Sequence, residues 1–145
     1  MPTELELQAK LVEAVKEAGG FGYKQSNKFL AGPPDLYLSH PSTGAVYIEI
    51  KKNYRGDRKV STTTLQRETM KRMRLAGSKC AVAVLIEQDG PSGSYDIYIT
   101  DFTDSDRIDN TWDKFHKNRG EPWPIILMMG VCGALSHGGA SDDMV

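Results

Sequence analysis

Residues 32–52, Gly-Pro-Pro-Asp-Leu-Tyr-Leu-Ser-His-Pro-Ser-Thr-Gly-Ala-Val-Tyr-Ile-Glu-Ile-Lys-Lys, leave the backbone few choices. Two runs rich in leucine, aromatic and β-branched residues, 35–39 and 45–52, flank His40-Pro41-Ser42-Thr43-Gly44. The flanks suit strands, and the proline, hydroxyls and glycine between them suit a turn. A loop over 40–44 predicts the cross-strand pairs Leu38–Val46, Tyr37–Tyr47, Leu36–Ile48 and Asp35–Glu49. Even positions are apolar and belong to a core, while odd positions carry the charge. Opposed side chains in such a pair have Cβ atoms roughly 4.5–5.5 Å apart, and like charges there repel. Asp35 and Glu49 so placed require a cation, and Lys51, two residues beyond Glu49, shares their face.

Two carboxylates at that spacing suit a hard divalent ion with oxygen ligands, Mg²⁺ first and Mn²⁺ as a substitute. A metal beside an ammonium is the equipment of phosphodiester hydrolysis. The ion lowers the pKa of a bound water and offsets phosphate charge, and the lysine adds a positive donor where charge develops. Taken one at a time the residues have blander readings. Asp35 suits a turn after Gly-Pro-Pro, and Glu49 and Lys51 suit a solvent-facing pair on one strand.

The order Pro34-Asp35, thirteen residues, then Glu49-Ile50-Lys51 resembles the motif of the PD-(D/E)XK nucleases. Thr3-Glu4-Leu5-Glu6-Leu7-Gln8 with Gly19, Gly32-Pro33-Pro34-Asp35-Leu36, Ile48-Glu49-Ile50-Lys51-Lys52, Leu65-Gln66 and Gly77 together resemble the virus-type replication-repair nuclease (VRR-NUC) domain over residues 3–86. Gly32 is followed by two prolines where that family usually shows one residue before Pro-Asp, a compatible variant. The resemblance implies an α/β fold with a restriction-endonuclease-like core, related to Holliday-junction resolvases, in a phage-type stand-alone protein. It also implies metal-dependent cleavage of DNA, branched DNA such as Holliday junctions above all. By the same resemblance Asp35, Glu49 and the Ile50 carbonyl hold the metal, and Lys51 positions or activates the attacking water. Glu4 is then the extra metal-side acid, although Glu4 and Glu6 both suit the first turn of a helix dipole anyway. Gln66 is placed beside the active site, while Thr63-x-x-Gln66 reads equally as a capping box.

At 145 residues, 39% hydrophobic and 26% charged, the chain suits one globular domain, expected over 1–135 with 136–145 as a disordered tail. Met1–Gln8 is acidic and lacks an apolar core, so no signal peptide is expected. No run approaches the ~18 apolar residues of a membrane span. A cytoplasmic protein is expected, in the host cell if phage-encoded. Two cysteines and three scattered histidines offer neither a disulfide framework nor a zinc site. The net charge of −1 conceals a polarity. Residues 51–79 hold ten Lys and Arg against Asp57 and Glu68, a net of +8, whereas 80–145 hold four against eleven acids, a net of −7. One basic face for a polyanion explains this; a solvated helix face is the plainer alternative.

An amphipathic helix is expected over 3–18, with Thr3 as N-cap and Gly19-Gly20 as its stop. A short strand is expected within 21–34, and 51–63 reads as a basic linker free to move without substrate, with Tyr54 its nucleic-acid-facing aromatic. A second helix, 64–76, aligns Arg67, Lys71 and Arg74 as a phosphate-tracking stripe, with Lys52 as a further DNA contact. The apolar run 80–86 suits a buried strand parallel to 45–51, and 94–100 a returning one, for a mixed sheet of about four strands. Ile108, Trp112 and Phe115 suggest a third helix over 104–118. Residues 121–135 suit a core cap, a short helix or a dimer surface. Resolution of a junction needs two symmetric cuts, so a homodimer is expected. The rivals are a non-selective DNA or RNA nuclease, a catalytically silent DNA-binding accessory, and a metal-binding regulatory module.

Overall fold

The computed structural model describes residues 3–25, 34–88, 94–101, 106–116, and 123–131 except 126 and 129. Thr3 Oγ1 accepts the Glu6 N–H and so caps α1 (Glu4–Glu17), which ends before Gly19 at a φ of 90°. That left-handed conformation is cheap for glycine alone. The chain then runs through β1 (Phe21–Lys24), β2 (Leu36–His40), β3 (Gly44–Asn53), α2 (Thr64–Leu75), β4 (Cys80–Glu87), β5 (Tyr95–Thr100) and β6 (Asp113–His116).

The strands form one mixed sheet in sequence order, β1-β2-β3-β4-β5-β6. The β3–β4 pair is parallel, across α2, and every other pair is antiparallel. The hairpin register is the expected one: Leu36 opposes Ile48, Tyr37 opposes Tyr47 and Leu38 opposes Val46. Strand alternation divides the core between the two faces. On one, α1 lays Leu7, Leu11 and Val15 against Leu36, Leu38, Val46, Ile48, Ile50, Ala83 and Leu85. On the other, Met70 of α2 joins Val60, Cys80, Val82, Val84, Tyr98, Ile108 and Trp112. The continuous apolar run of β4 is thus explained by burial on both faces.

Several expectations are corrected. The sheet has six strands rather than about four, because β1 and β6 extend both edges. No helix forms over the described part of 104–118. Asp109 Oδ1 accepts the Thr111 N–H and hydroxyl, a local bond that competes with helical pairing, and the chain proceeds into β6. Ile108 and Trp112 still enter the core, while Phe115 packs against the opposite one. The basic linker is tied down. Asn53 Nδ2 donates to the carbonyls of Asp57 (3.0 Å) and Lys59 (2.6 Å), Lys59 bridges Arg107, and Val60 is buried. The described residues of 123–131 are helical and bury Trp123, Leu127 and Val131 in the α1-side core. The segment is therefore a core cap, with Ile125 as its exposed large apolar side chain. Among the described residues no helix is long and apolar enough to cross a membrane. The expected tail, 136–145, lies outside the described residues.

Candidate active site

Strand β3 outruns β2. The last β2 residue in register is Leu36, opposite Ile48, yet β3 continues beside β4 to Asn53. Tyr47 donates its N–H toward β4, to the Lys79 carbonyl at 2.9 Å. Alternation then turns the backbone groups of residues 48, 50 and 52 to the β2 side, and among the described residues no strand pairs with that edge beyond Ile48. The Lys52 N–H there is taken up by Glu4 Oε2 at 2.9 Å, from the first turn of α1. The Ile50 carbonyl belongs to the same open edge.

Asp35 and Glu49 meet at this opening. The Asp35 N–H donates to Glu49 Oε1 at 3.2 Å, and Gln8 Nε2 of α1 donates to Asp35 Oδ2 at 3.1 Å. Lys51 Nζ lies 3.2 Å from Glu49 Oε2. Glu49 is only 1% exposed. Burial, reinforced by the neighbouring Asp35 charge and only partly offset by Lys51, raises its pKa to about 7. Such a shift marks a carboxylate short of positive charge.

Among the described residues two buried side-chain oxygens, Gln8 Oε1 and Glu49 Oε2, have no hydrogen-bond partner. The contact of Lys51 with Glu49 Oε2 is close but poorly directed for a hydrogen bond. An orphaned carboxylate oxygen beside a second carboxylate and an orphaned amide oxygen is a donor set of hard oxygens, and it fits Mg²⁺, which needs one or two carboxylates and keeps several waters. Among the described residues no three His, Cys, Asp or Glu side chains cluster closely enough to hold an ion. Glu4 Oε2 is engaged by the Lys52 N–H of β3. The two carboxylates that meet at the opening are Asp35 and Glu49.

The remaining sequence candidates are placed as follows. Gln66 closes the capping box of α2: its Oε1 accepts the Thr63 N–H at 2.9 Å while its own N–H donates to Thr63 Oγ1. Arg67 turns back onto Thr62, with Nη1 2.8 Å from the Thr62 carbonyl. Arg74 pairs with Asp101 at 3.1 Å, and Lys71 is exposed. Lys52 Nζ lies over the Tyr54 ring, 5.6 Å from its centroid. The residue that sequence reasoning left without a role is Gln8. Its spacing from Leu11 and Val15, three and seven positions on, turns a polar side chain into the core face of α1, and a buried amide there needs partners.

No protein-family model matches the chain, and no curated protein matches it. Among solved structures it is similar to that of Archaeoglobus fulgidus Hjc, a Holliday junction resolvase from an archaeal hyperthermophile, at 16% identity and a TM-score of 0.45, covering 75% of this chain and 84% of that one. So distant a likeness carries no argument about the site, which stands on its own geometry.

Proposed function

We propose that the chain is a metal-dependent endonuclease that hydrolyses phosphodiester bonds in DNA, with a preference for branched DNA such as Holliday junctions. The observation that carries the chemistry is the meeting of Asp35, Glu49 and Lys51 at the open end of the β2–β3 hairpin, with a buried carboxylate oxygen lacking a hydrogen bond. The preference for branched DNA and the phage origin follow the motif resemblance alone; a cytoplasmic location goes with them, and a homodimer would suit the paired cuts that junction resolution needs.

Asp35, Glu49 and the Ile50 carbonyl would hold the ion, with Glu4 beside them on the β3 edge. Bound Mg²⁺ supplies an activated water and neutralises charge on the scissile phosphate. Glu49 carries a negative charge only once its proton has left, so occupation of the site and loss of that proton are coupled. Gln8 holds Asp35 through Oδ2. Lys51, held against Glu49, would orient the attacking water through its N–H donors and offset the charge that develops on the phosphate. Lys71 and the other cations of α2, with Lys52, would hold the backbone without reading bases. Gln66 would serve from the start of α2, where its amide also caps the helix.

The test is incubation with end-labelled four-way junction, flap, duplex and single-stranded DNA, each with Mg²⁺ or EDTA. The reading expects Mg²⁺-dependent cleavage of the branched substrates first. Cleavage that persists undiminished in EDTA would contradict it.

A further inference from the structure

The face of the sheet that carries Asp35, Glu49 and Lys51 also carries a row of rings. The registers place Tyr23 opposite Tyr37 and Tyr37 opposite Tyr47, with Phe21 two residues from Tyr23 on β1, opposite Ser39. The rings touch in sequence: Phe21 to Tyr23 at 5.9 Å between centroids, Tyr23 to Tyr37 at 5.2 Å, Tyr37 to Tyr47 at 5.3 Å. Helix α2 covers β4 on this face, and Tyr47 packs against the same core as Met73 of α2. Farther along the ladder Tyr23 is 47% and Phe21 57% exposed.

Two features bear on what covers it. First, Tyr37 and Tyr47 each stand two residues from the acid pair along their own strands, a step of roughly 7 Å. A polymer whose scissile phosphate lay at Asp35 and Glu49 would pass over the rings with its next units. Second, the ladder's same-face neighbours away from the site, Ser39 and Ala45, hold no acid, and at its site end the Asp35–Glu49 pair stands beside Lys51. Helix α2, on the same face, carries Arg67, Lys71, Arg72 and Arg74 against Glu68. Rings beside cations suit a polyanion with flat apolar groups. Unpaired bases offer such groups; paired bases inside a duplex do not.

We propose that Phe21, Tyr23 and Tyr37 form a stacking platform for unpaired bases of the DNA strand entering or leaving the cleavage site. The proposal deepens the nuclease reading and rests on it for the position of the strand. It accounts for selectivity toward branch points, where bases leave the stack, by a surface that a continuous duplex cannot use.

The experiment is equilibrium binding of the full-length chain, in EDTA to prevent cleavage, to a duplex and to a splayed duplex of equal length carrying 2-aminopurine in its unpaired arm. Wild type should bind the splayed DNA more tightly and quench the probe. Tyr23→Ala with Phe21→Ala should reduce the ratio of splayed to duplex affinity about tenfold, the scale of one or two lost stacking contacts, and abolish the quenching. Tyr23→Phe should keep both. Tyr23→Leu with Phe21→Leu preserves apolar cover on the sheet and should still lose the quenching, which separates stacking from folding. An unchanged ratio and unchanged quenching in the leucine pair would overturn the proposal. So would sedimentation showing that wild type is a dimer, the leucine pair a monomer, and their DNA selectivity equal, since a second copy would then occupy the ladder. Either result leaves Mg²⁺-dependent cleavage intact, whereas failure of the nuclease reading appears separately, as the absence of any cleavage by wild type.

Discussion

Asp35 and Glu49 are joined across the open end of the β2–β3 hairpin by a backbone hydrogen bond, the Asp35 N–H to Glu49 Oε1 at 3.2 Å. The bond fixes the two carboxylates side by side while using only one of Glu49's oxygens. It places an acid-rich notch where β3 outruns its neighbour, with the partner ammonium of Lys51 on the same strand.

The buried Glu49 makes metal-free stability depend on pH. Its pKa is about 7 in the folded chain against an ordinary 4.5, so between those values the folded state holds a proton that the unfolded state has released. Stability therefore falls as pH rises through this window, by about 3 kcal/mol at most from this group. Below pH 4.5 the effect is absent, and above 7 it is complete. Urea unfolding in EDTA at several pH values should show the decline in wild type and a flatter profile in Glu49→Gln.

Divalent ions should reverse that penalty. Mg²⁺ or Mn²⁺ should raise the Tm by linkage, more at pH 8 than at pH 5.5, because occupancy requires Glu49 to lose its proton. Ca²⁺ should stabilise the fold yet support little cleavage, its looser coordination orienting the water poorly. Thermal melts with each ion, beside cleavage assays, check both statements. A Tm indifferent to Mg²⁺ and Mn²⁺ in wild type, or raised equally in Asp35→Ala, would remove the metal site.

Gln8 offers a prediction that the motif residues do not. Gln8→Leu removes the hydrogen bond to Asp35 and the orphaned amide oxygen together. Loss of a residue that orients a ligand typically weakens metal affinity 10–100-fold, while the stability lost with the bond to the half-buried Asp35 is offset in part by removal of the orphaned amide oxygen. Calorimetric titration with Mn²⁺ and urea unfolding should therefore separate, with affinity down about tenfold and the unfolding midpoint little changed. Equal Mn²⁺ affinity in the two proteins would show that Gln8 packs without positioning.

The hairpin and its register were legible because turn chemistry and strict alternation specify the same pairing. The acid pair and Lys51 followed from that register. Helices α1 and α2 were legible from their caps and stops. The helix expected over 104–118 was not there: the spacing of Ile108, Trp112 and Phe115 also fits a loop followed by an edge strand whose residues reach both cores, and periodicity alone does not distinguish the two. Glu4 stands beside β3 as its position implied, yet it serves an exposed backbone N–H. That need arises from unequal strand lengths, which local sequence does not show. The basic linker looked free because charge reads as solvation; Asn53, buried and bonded to two loop carbonyls, ties it.

The basic stripe of α2 should behave unevenly. Lys71→Ala should lower the salt slope of DNA binding by about one counterion. Arg74→Ala should lower it less, since Asp101 already offsets that charge. Arg67→Ala should also destabilise the start of α2, where its guanidinium holds Thr62. Titrations of Lys51→Ala protein with junction and duplex DNA at several salt concentrations read the slopes. Slopes unaltered in all three variants would move the DNA face away from this helix.

The most direct test of the central claim pairs single-turnover cleavage of labelled junction DNA with Mn²⁺ binding, for wild type and Lys51→Ala. In the proposed mechanism Lys51 would act on water and phosphate rather than on the ion. Cleavage should therefore fall at least a hundredfold, the scale of removing a charge-stabilising donor, while Mn²⁺ affinity stays within a few-fold. Cleavage by Lys51→Ala at the wild-type rate, with Mg²⁺ present, would contradict the assignment of Asp35, Glu49 and Lys51 as a nuclease site.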